Sequence, residues 1–191
     1  MNESATPLVG KMLIAMPTLT DPNFWHAVVI VGVHSIEDGA FGLVINRPLD
    51  VDLKEILSEL GESVAEDHYP QVLAGGPVEP NHGFVLFEGA DNEPDEAALF
   101  VKGGLTVSGS TETLTNLALG NIDSRYYLLL GYSGWYPGQL EQEIEENSWL
   151  VAPLDTSIVF DVPIEDRWNA ALRSIGVEPG TLVDMGSAPP S

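Results

Sequence analysis

The sequence predicts an α+β domain, a mixture of short strands and short helices around one core, and three observations carry that expectation. Residues 27–33 (AVVIVGV) and 40–45 (AFGLVI) are apolar and rich in β-branched side chains, and Glu37-Asp38-Gly39 between them has hairpin composition. Leu53, Ile56, Leu57 and Leu60 recur at helical spacing, behind an Asp52 cap and ahead of Gly61. Residues 126–130 form an apolar run that enters a stretch crowded with glycine and aromatics, which opens a helical pattern loaded with carboxylates. With 191 residues, 44% of them apolar, the chain can build a full core as one domain without disulfides or metals.

Taken in order, residues 1–7 are small and polar and are expected to fray. Residues 8–16, with Lys11 their only charge, read as a buried first strand closed by Pro17. Asp21 followed by Pro22 signals a helical start, so residues 22–25 are expected to form a single turn. The hairpin comes next, its first strand covered on both faces. Asn46-Arg47-Pro48 ends it, and the short helix and a polar linker occupy the chain to residue 70. Residues 71–74 and 83–88 read as strands on either side of Gly75-Gly76-Pro77, and residues 89–96 as an acidic, mobile loop. Residues 100–107 are strand-like with an interruption at Gly103-Gly104. Ser110 caps a helix that buries Leu114, Leu117 and Ala118 and stops at Gly120.

Residues 126–130 then read as a strand, residues 131–138 as a tight turn, and the carboxylate-rich segment after them as a helix fastened by Leu140 and Ile144. A short apolar segment at residues 149–152 and one of ambiguous type at residues 156–160 come next. Residues 163–174 are helical, with proline at the start, Ile164, Trp168, Ala171 and Leu172 on one stripe, and Gly176 at the end. Residues 185–191 read as a disordered tail, which leaves residues 8–184 as the single domain.

Composition removes several functions. The chain has no cysteine, which rules out disulfides, thiolate catalysis and Cys-zinc sites. It carries 29 acidic and 7 basic residues, a net charge of -22, and the basic residues are scattered, so nucleic acid is a poor partner for its surface. The acidity reads either as a means of repelling anionic partners or attracting basic ones or, more simply, as a solvated, soluble surface. No apolar run approaches the roughly 20 residues of a membrane span, and the first residues lack the pattern of a secretory signal, so no membrane partner and a cytoplasmic location are expected.

Candidate chemistry is sparse. Gly131-Tyr132-Ser133-Gly134 follows a strand and precedes a helix as a hydrolase nucleophile elbow does, but Trp135 stands where the elbow needs glycine. The last histidine, His82, lies far upstream of Ser133, against the order of that hydrolase class. The histidines His26, His34, His68 and His82 have no metal-ligand spacing, so no metal and no cofactor is expected. Gly75-Gly76 and Gly103-Gly104 match neither a P-loop nor a dinucleotide fingerprint, and turn geometry explains them more simply. Glu141, Glu143, Glu145 and Glu146 read either as a hard-cation or acid/base cluster or, more simply, as a solvated helix face.

Several segments together resemble a known family: residues 10–17 (GKMLIAMP), Asp21-Pro22 with Phe24, residues 39–48 (GAFGLVINRP), residues 75–78 (GGPV), and the segment from Gly131 and Trp135 to Glu143 and Ile144. In that order they are similar to the bacterial AlgH/YqgE family over residues 9–186. The resemblance implies a bent, branching, mostly antiparallel sheet closed into a pseudo-barrel with flanking helices. It implies no activity, since the family is largely uncharacterised, and its transcriptional-regulator label comes without a recognisable DNA-binding motif. Where the family usually has arginine-Gly-Phe-Val-Leu-His, this chain has His82-Gly83-Phe84-Val85-Leu86-Phe87, so it lacks the arginine and the final histidine of that segment.

The expectation that results is a regulatory or interaction protein without a catalytic set, acting through a protein or small-ligand contact. Its surface would comprise Asn46 and Arg47, Gly75 and Gly76, and Ser133, Trp135, Gln139, Glu141 and Glu143. The rival is a hydrolase using Glu141 or Glu143 as base near Ser133, with Arg47 binding an anionic group.

Overall fold

A computed structural model of the chain describes residues 8–63, 66, 68–89 and 98–183. The expectations for residues 1–7, for the acidic loop beyond Gly89 and for residues 185–191 lie outside these. Among the described residues there are nine strands: β1 (Lys11–Ala15), β2 (Val28–Ser35), β3 (Gly39–Val44), β4 (Leu73–Ala74), β5 (Val78–Glu88), β6 (Ala98–Lys102), β7 (Leu105–Ser108), β8 (Tyr126–Trp135) and β9 (Trp149–Pro153). The described helices are α1 (Leu53–Glu59), α2 (Thr111–Ala118), α3 (Gln139–Glu145), α4 (Thr156–Phe160), α5 (Arg167–Ser174) and α6 (Pro179–Val183). A 3-10 turn, Ile164–Asp166, leads into α5.

Eight strands follow one path, β6-β7-β5-β8-β3-β2-β1-β9, in which every neighbouring pair is antiparallel; β4 lies off the path and pairs with β8 in parallel. Alternation explains the continuous apolar runs. On β1, Met12 and Ile14 enter a central core while Leu13 and Ala15 enter a second one on the opposite face. On β5, Phe84 and Leu86 join the same central core, and Val85 and Phe87 a third. Sheet residues buried on both faces have no reason to alternate with polar ones. Helix α3 covers the second core through Leu140, and α1 and α2 cover the third through Leu53, Leu57, Leu114 and Leu117.

Two expectations are corrected. The sheet is not closed into a barrel, because β6 and β9 end the path and do not pair with each other. Helices supply part of the central core instead: Ile158 and Val159 of α4, Trp168 and Leu172 of α5 and Leu182 of α6 belong to it. They bury the apolar surface that strand closure would otherwise cover.

The tight turn expected at residues 131–138 is the second correction. Strand β8 continues to Trp135: residues 126–130 and Tyr132 pair with β5, and Ser133, Gly134 and Trp135 pair with β3. Gly131, at φ +77°, bends the strand without ending it. The segment containing β4 wedges into the fork that this bend opens. The Gly75 N–H donates to Leu130 O at 2.8 Å, and Gly75 O accepts from the Val44 N–H at 2.9 Å. Backbones meet so closely there that a Cβ on Gly76 would lie 2.2 Å from Tyr132 O, and one on Gly131 would lie 2.4 Å from Gly76 O. Gly76→Ala is therefore expected to lower the unfolding free energy by more than about 3 kcal/mol in urea titrations. Gly109→Ala, where a Cβ meets nothing within 4 Å, is expected to stay within about 0.5 kcal/mol.

Candidate functional site

The sequence-derived residues separate into two groups. The first lies where β8 runs into α3. Glu143 Oε2 accepts from the indole N–H of Trp135 at 2.9 Å and from that of Trp149 at 2.8 Å, while Gln139 Nε2 donates to Oε1 at 3.0 Å. Gln139 Oε1 in turn accepts the Tyr136 N–H at 3.0 Å. Both indoles are buried and pack edge to face, with Phe24 stacked against Trp135. Glu143 thus satisfies two indole donors that would otherwise be buried without partners, and Trp135, Gln139 and Glu143 form a closed network.

Glu141, on the same helix, accepts from His34. Because His34 Nδ1 takes the Leu8 N–H at 3.2 Å, Nε2 carries the proton that goes to Glu141. This pair ties β2 and the incoming chain to α3. Ser133 is fully buried, and its hydroxyl donates to Gly75 O at 3.2 Å. Gly75 and Gly76 sit at the fork with their close backbone contacts. Among the described residues no group of three or more His, Asp or Glu is arranged to hold a metal ion.

The second group stands apart, at the far end of β3. Asn46 bridges backbones: Oδ1 accepts the Val28 N–H and Nδ2 donates to His26 O, both at 2.8 Å. Arg47 is half-buried and donates to Trp25 O. Asn46 and Arg47 border a cleft of about 330 Å³ that is also lined by Glu165 of the 3-10 turn and by Trp168 and Asn169 of α5. Three rings form its side. His26 is stacked between Trp25, at 3.7 Å and 11° between planes, and Trp168, at 3.9 Å and 3°.

Local structure sets this arrangement. Asp21 accepts the Asn23 N–H and starts the expected turn, and His26 leaves it in the left-handed region, at φ +53°. Such a backbone is uncommon for a residue with a side chain and needs support from its surroundings. That support comes from Asn46 on the His26 carbonyl and from the two indoles on its ring. Trp168 is fixed by its own N–H to Ala15 O at 2.9 Å. Next to it Arg167, fully buried, donates to Val162 O, Ile45 O and the Tyr127 hydroxyl, which pins α5 to the residue just before Asn46. Burial, and then the charge of Arg47, hold the His26 imidazole below its ordinary value of 6.5, and burial also lowers Arg47.

The structure brings Asn46 and Arg47 together in this cleft, and places Ser133, Trp135, Gln139, Glu141, Glu143 and the two glycines elsewhere. Sequence reasoning missed Trp25, His26 and Trp168 as partners of Arg47. Trp25-His26 directly follows the Asp21 turn, an adjacent pair of rings that was its only local signal. Trp168 comes from 142 positions downstream of His26, and only the fold joins them.

Fold and cleft define a class: an α+β domain with a small aromatic cleft lined by Arg47 and Glu165. The chain belongs to the AlgH-like family, whose model matches residues 12–180. It is 41% identical over 177 residues to a UPF0301 protein of Magnetococcus marinus, covering 93% of this chain and 94% of that one. A UPF0301 protein of Xanthomonas campestris pv. campestris is 39% identical over 186 residues, covering 96% and 97%. The solution structure of the AlgH protein from Pseudomonas aeruginosa superimposes with a TM-score of 0.76 at 36% identity, covering 98% of this chain and all of that one.

Replacing Glu143 by alanine strands two buried indole donors, so Glu143→Ala is expected to cost about 3 kcal/mol in urea unfolding. Glu145→Ala, on the exposed face of the same helix, is expected to stay within about 0.5 kcal/mol.

Proposed function

We propose that this protein works by binding, and that its site is the cleft in which Arg47 holds a small anionic group beside the Trp25, His26 and Trp168 rings. The observation that carries this is the state of Arg47. The chain has four arginines. Arg125 is paired with Glu88 and Asp161, Arg173 with Glu178, and the donors of Arg167 are taken up by two carbonyls and a hydroxyl. Arg47 is half-buried, makes one hydrogen bond, and among the described residues has no carboxylate partner. A guanidinium whose ionised form is penalised by burial, with donors left over in a cleft, suits an incoming anion.

A regulatory role would act through such a contact, with a ligand or a partner's anionic group biasing the protein's interactions. Direct DNA binding has little support: two of the four arginines are neutralised by carboxylates and a third is buried, on a chain of net charge -22. The enzyme reading, with Glu141 or Glu143 as base near Ser133, also lacks a supporting observation. Ser133 has no solvent exposure, and both Glu143 oxygens already accept hydrogen bonds.

The test monitors His26 by NMR while sulfate replaces chloride at constant ionic strength. A bound anion offsets the charge of Arg47, so the His26 pKa is expected to rise toward 6.5 and the Trp25 indole signal to shift. In Arg47→Gln the His26 pKa is expected to start higher and to ignore sulfate. A His26 pKa indifferent to sulfate in the parent protein contradicts the reading.

A further inference from the structure

The charges around the cleft narrow the class of ligand. We infer that it takes a small zwitterion of about the size of a free amino acid, with the carboxylate on Arg47 and the ammonium against Glu165. This rests on Arg47 being an anion-binding residue, as proposed above.

Glu165 stands on the 3-10 turn before α5, is solvent-exposed and lines the same cleft as Arg47. Among the described residues neither forms an ion pair, with each other or with any other side chain. The cleft thus presents two opposite charges that are not paired with each other. A ligand bearing one anionic and one cationic group satisfies both at once, whereas a plain anion leaves Glu165 beside it unpaired and repelling. Asn169, whose amide makes no hydrogen bond among the described residues, borders the same space and can donate to a carboxylate or accept from an ammonium.

Size and net charge agree with this class. A cleft of about 330 Å³ is at the small end of ligand sites, which favours a metabolite over a peptide segment. The net charge of -22 opposes the approach of any ligand with net negative charge. A zwitterion has none, so it presents a carboxylate to Arg47 without incurring that long-range repulsion.

The experiment uses the full chain and three probes of one shape: L-leucine, 4-methylpentanoate, which lacks the ammonium, and 3-methylbutan-1-amine, which lacks the carboxylate. Binding is measured from the Trp25 and Trp168 indole signals in NMR titrations. L-leucine is expected to bind about threefold more tightly than 4-methylpentanoate, the factor an exposed ion pair supplies, and more tightly than 3-methylbutan-1-amine as well. Glu165→Gln, at an exposed position, is expected to bring L-leucine down to the level of 4-methylpentanoate, and Glu165→Asp to restore part of the difference. Urea unfolding of each variant checks that the fold is kept. If 4-methylpentanoate binds the parent as tightly as L-leucine and Arg47→Gln weakens both, the anion site stands and the zwitterion assignment is overturned. If no probe binds, or Arg47→Gln leaves L-leucine binding unchanged, both fall together.

Discussion

The close passage of the Gly75-Gly76 backbone over Gly131 is the constraint on which the rest of this structure depends. At that crossing β8 bends, its pairing with β5 ends at Tyr132 and its pairing with β3 begins at Ser133, and the segment carrying β4 lies between β8 and the end of β3. No residue with a Cβ fits, because the atoms it would strike are backbone atoms that cannot rotate away. The wedge also sets the course of the chain beyond β3. The Ala74 N–H donates to Arg47 O at 2.8 Å and the Leu49 N–H to Val72 O at 2.9 Å, so residues 47–49 pair with the wedge and turn away from β8. The fork in the sheet thereby delivers Asn46 and Arg47 to the side where α5 lies.

Two neighbourhoods with different physics result. Around α3, polar groups meet partners on every side: indoles on Glu143, Gln139 on Glu143, His34 on Glu141, Ser133 on Gly75 O. Satisfied networks of this kind hold architecture in place. Around Arg47 the charges stay separate and one backbone residue, His26, sits in a left-handed conformation. Such local costs persist where neighbours enforce them, and they gather where proteins bind ligands. Asn46 and the two indoles enforce it here, and the buried Arg167 holds α5, which carries one of those indoles, against Ile45 and Tyr127.

Much of the fold was legible in the sequence because it is written in local patterns. The hairpin of β2 and β3, the Asp52 cap of α1 and the Ser110 cap of α2 all stand where composition put them. The course of β8 was not legible, because glycines that end a strand and glycines that bend one look alike until the partner strand is known. Helix α6 was also missed, since Pro179–Val183 is too short to show a period. At the proposed cleft, the Asn46-Arg47 pair could be singled out from its motif alone. Its neighbours could not, since a Trp-His-Trp stack with one ring contributed from α5 is a property of tertiary packing. The residues of the α3 junction drew notice for the same glycines and aromatics that make them a structural knot.

The central claim is that Arg47 is kept for binding while Glu143 is kept for the fold, and the unfolding free energy of Arg47→Gln tests it most directly. Removing a half-buried guanidinium gives up one hydrogen bond to Trp25 O and relieves a desolvation cost, so the expected change is within about 1 kcal/mol in either direction. A loss above about 3 kcal/mol, on the scale of a stranded buried network, would contradict the claim and make Arg47 part of the architecture.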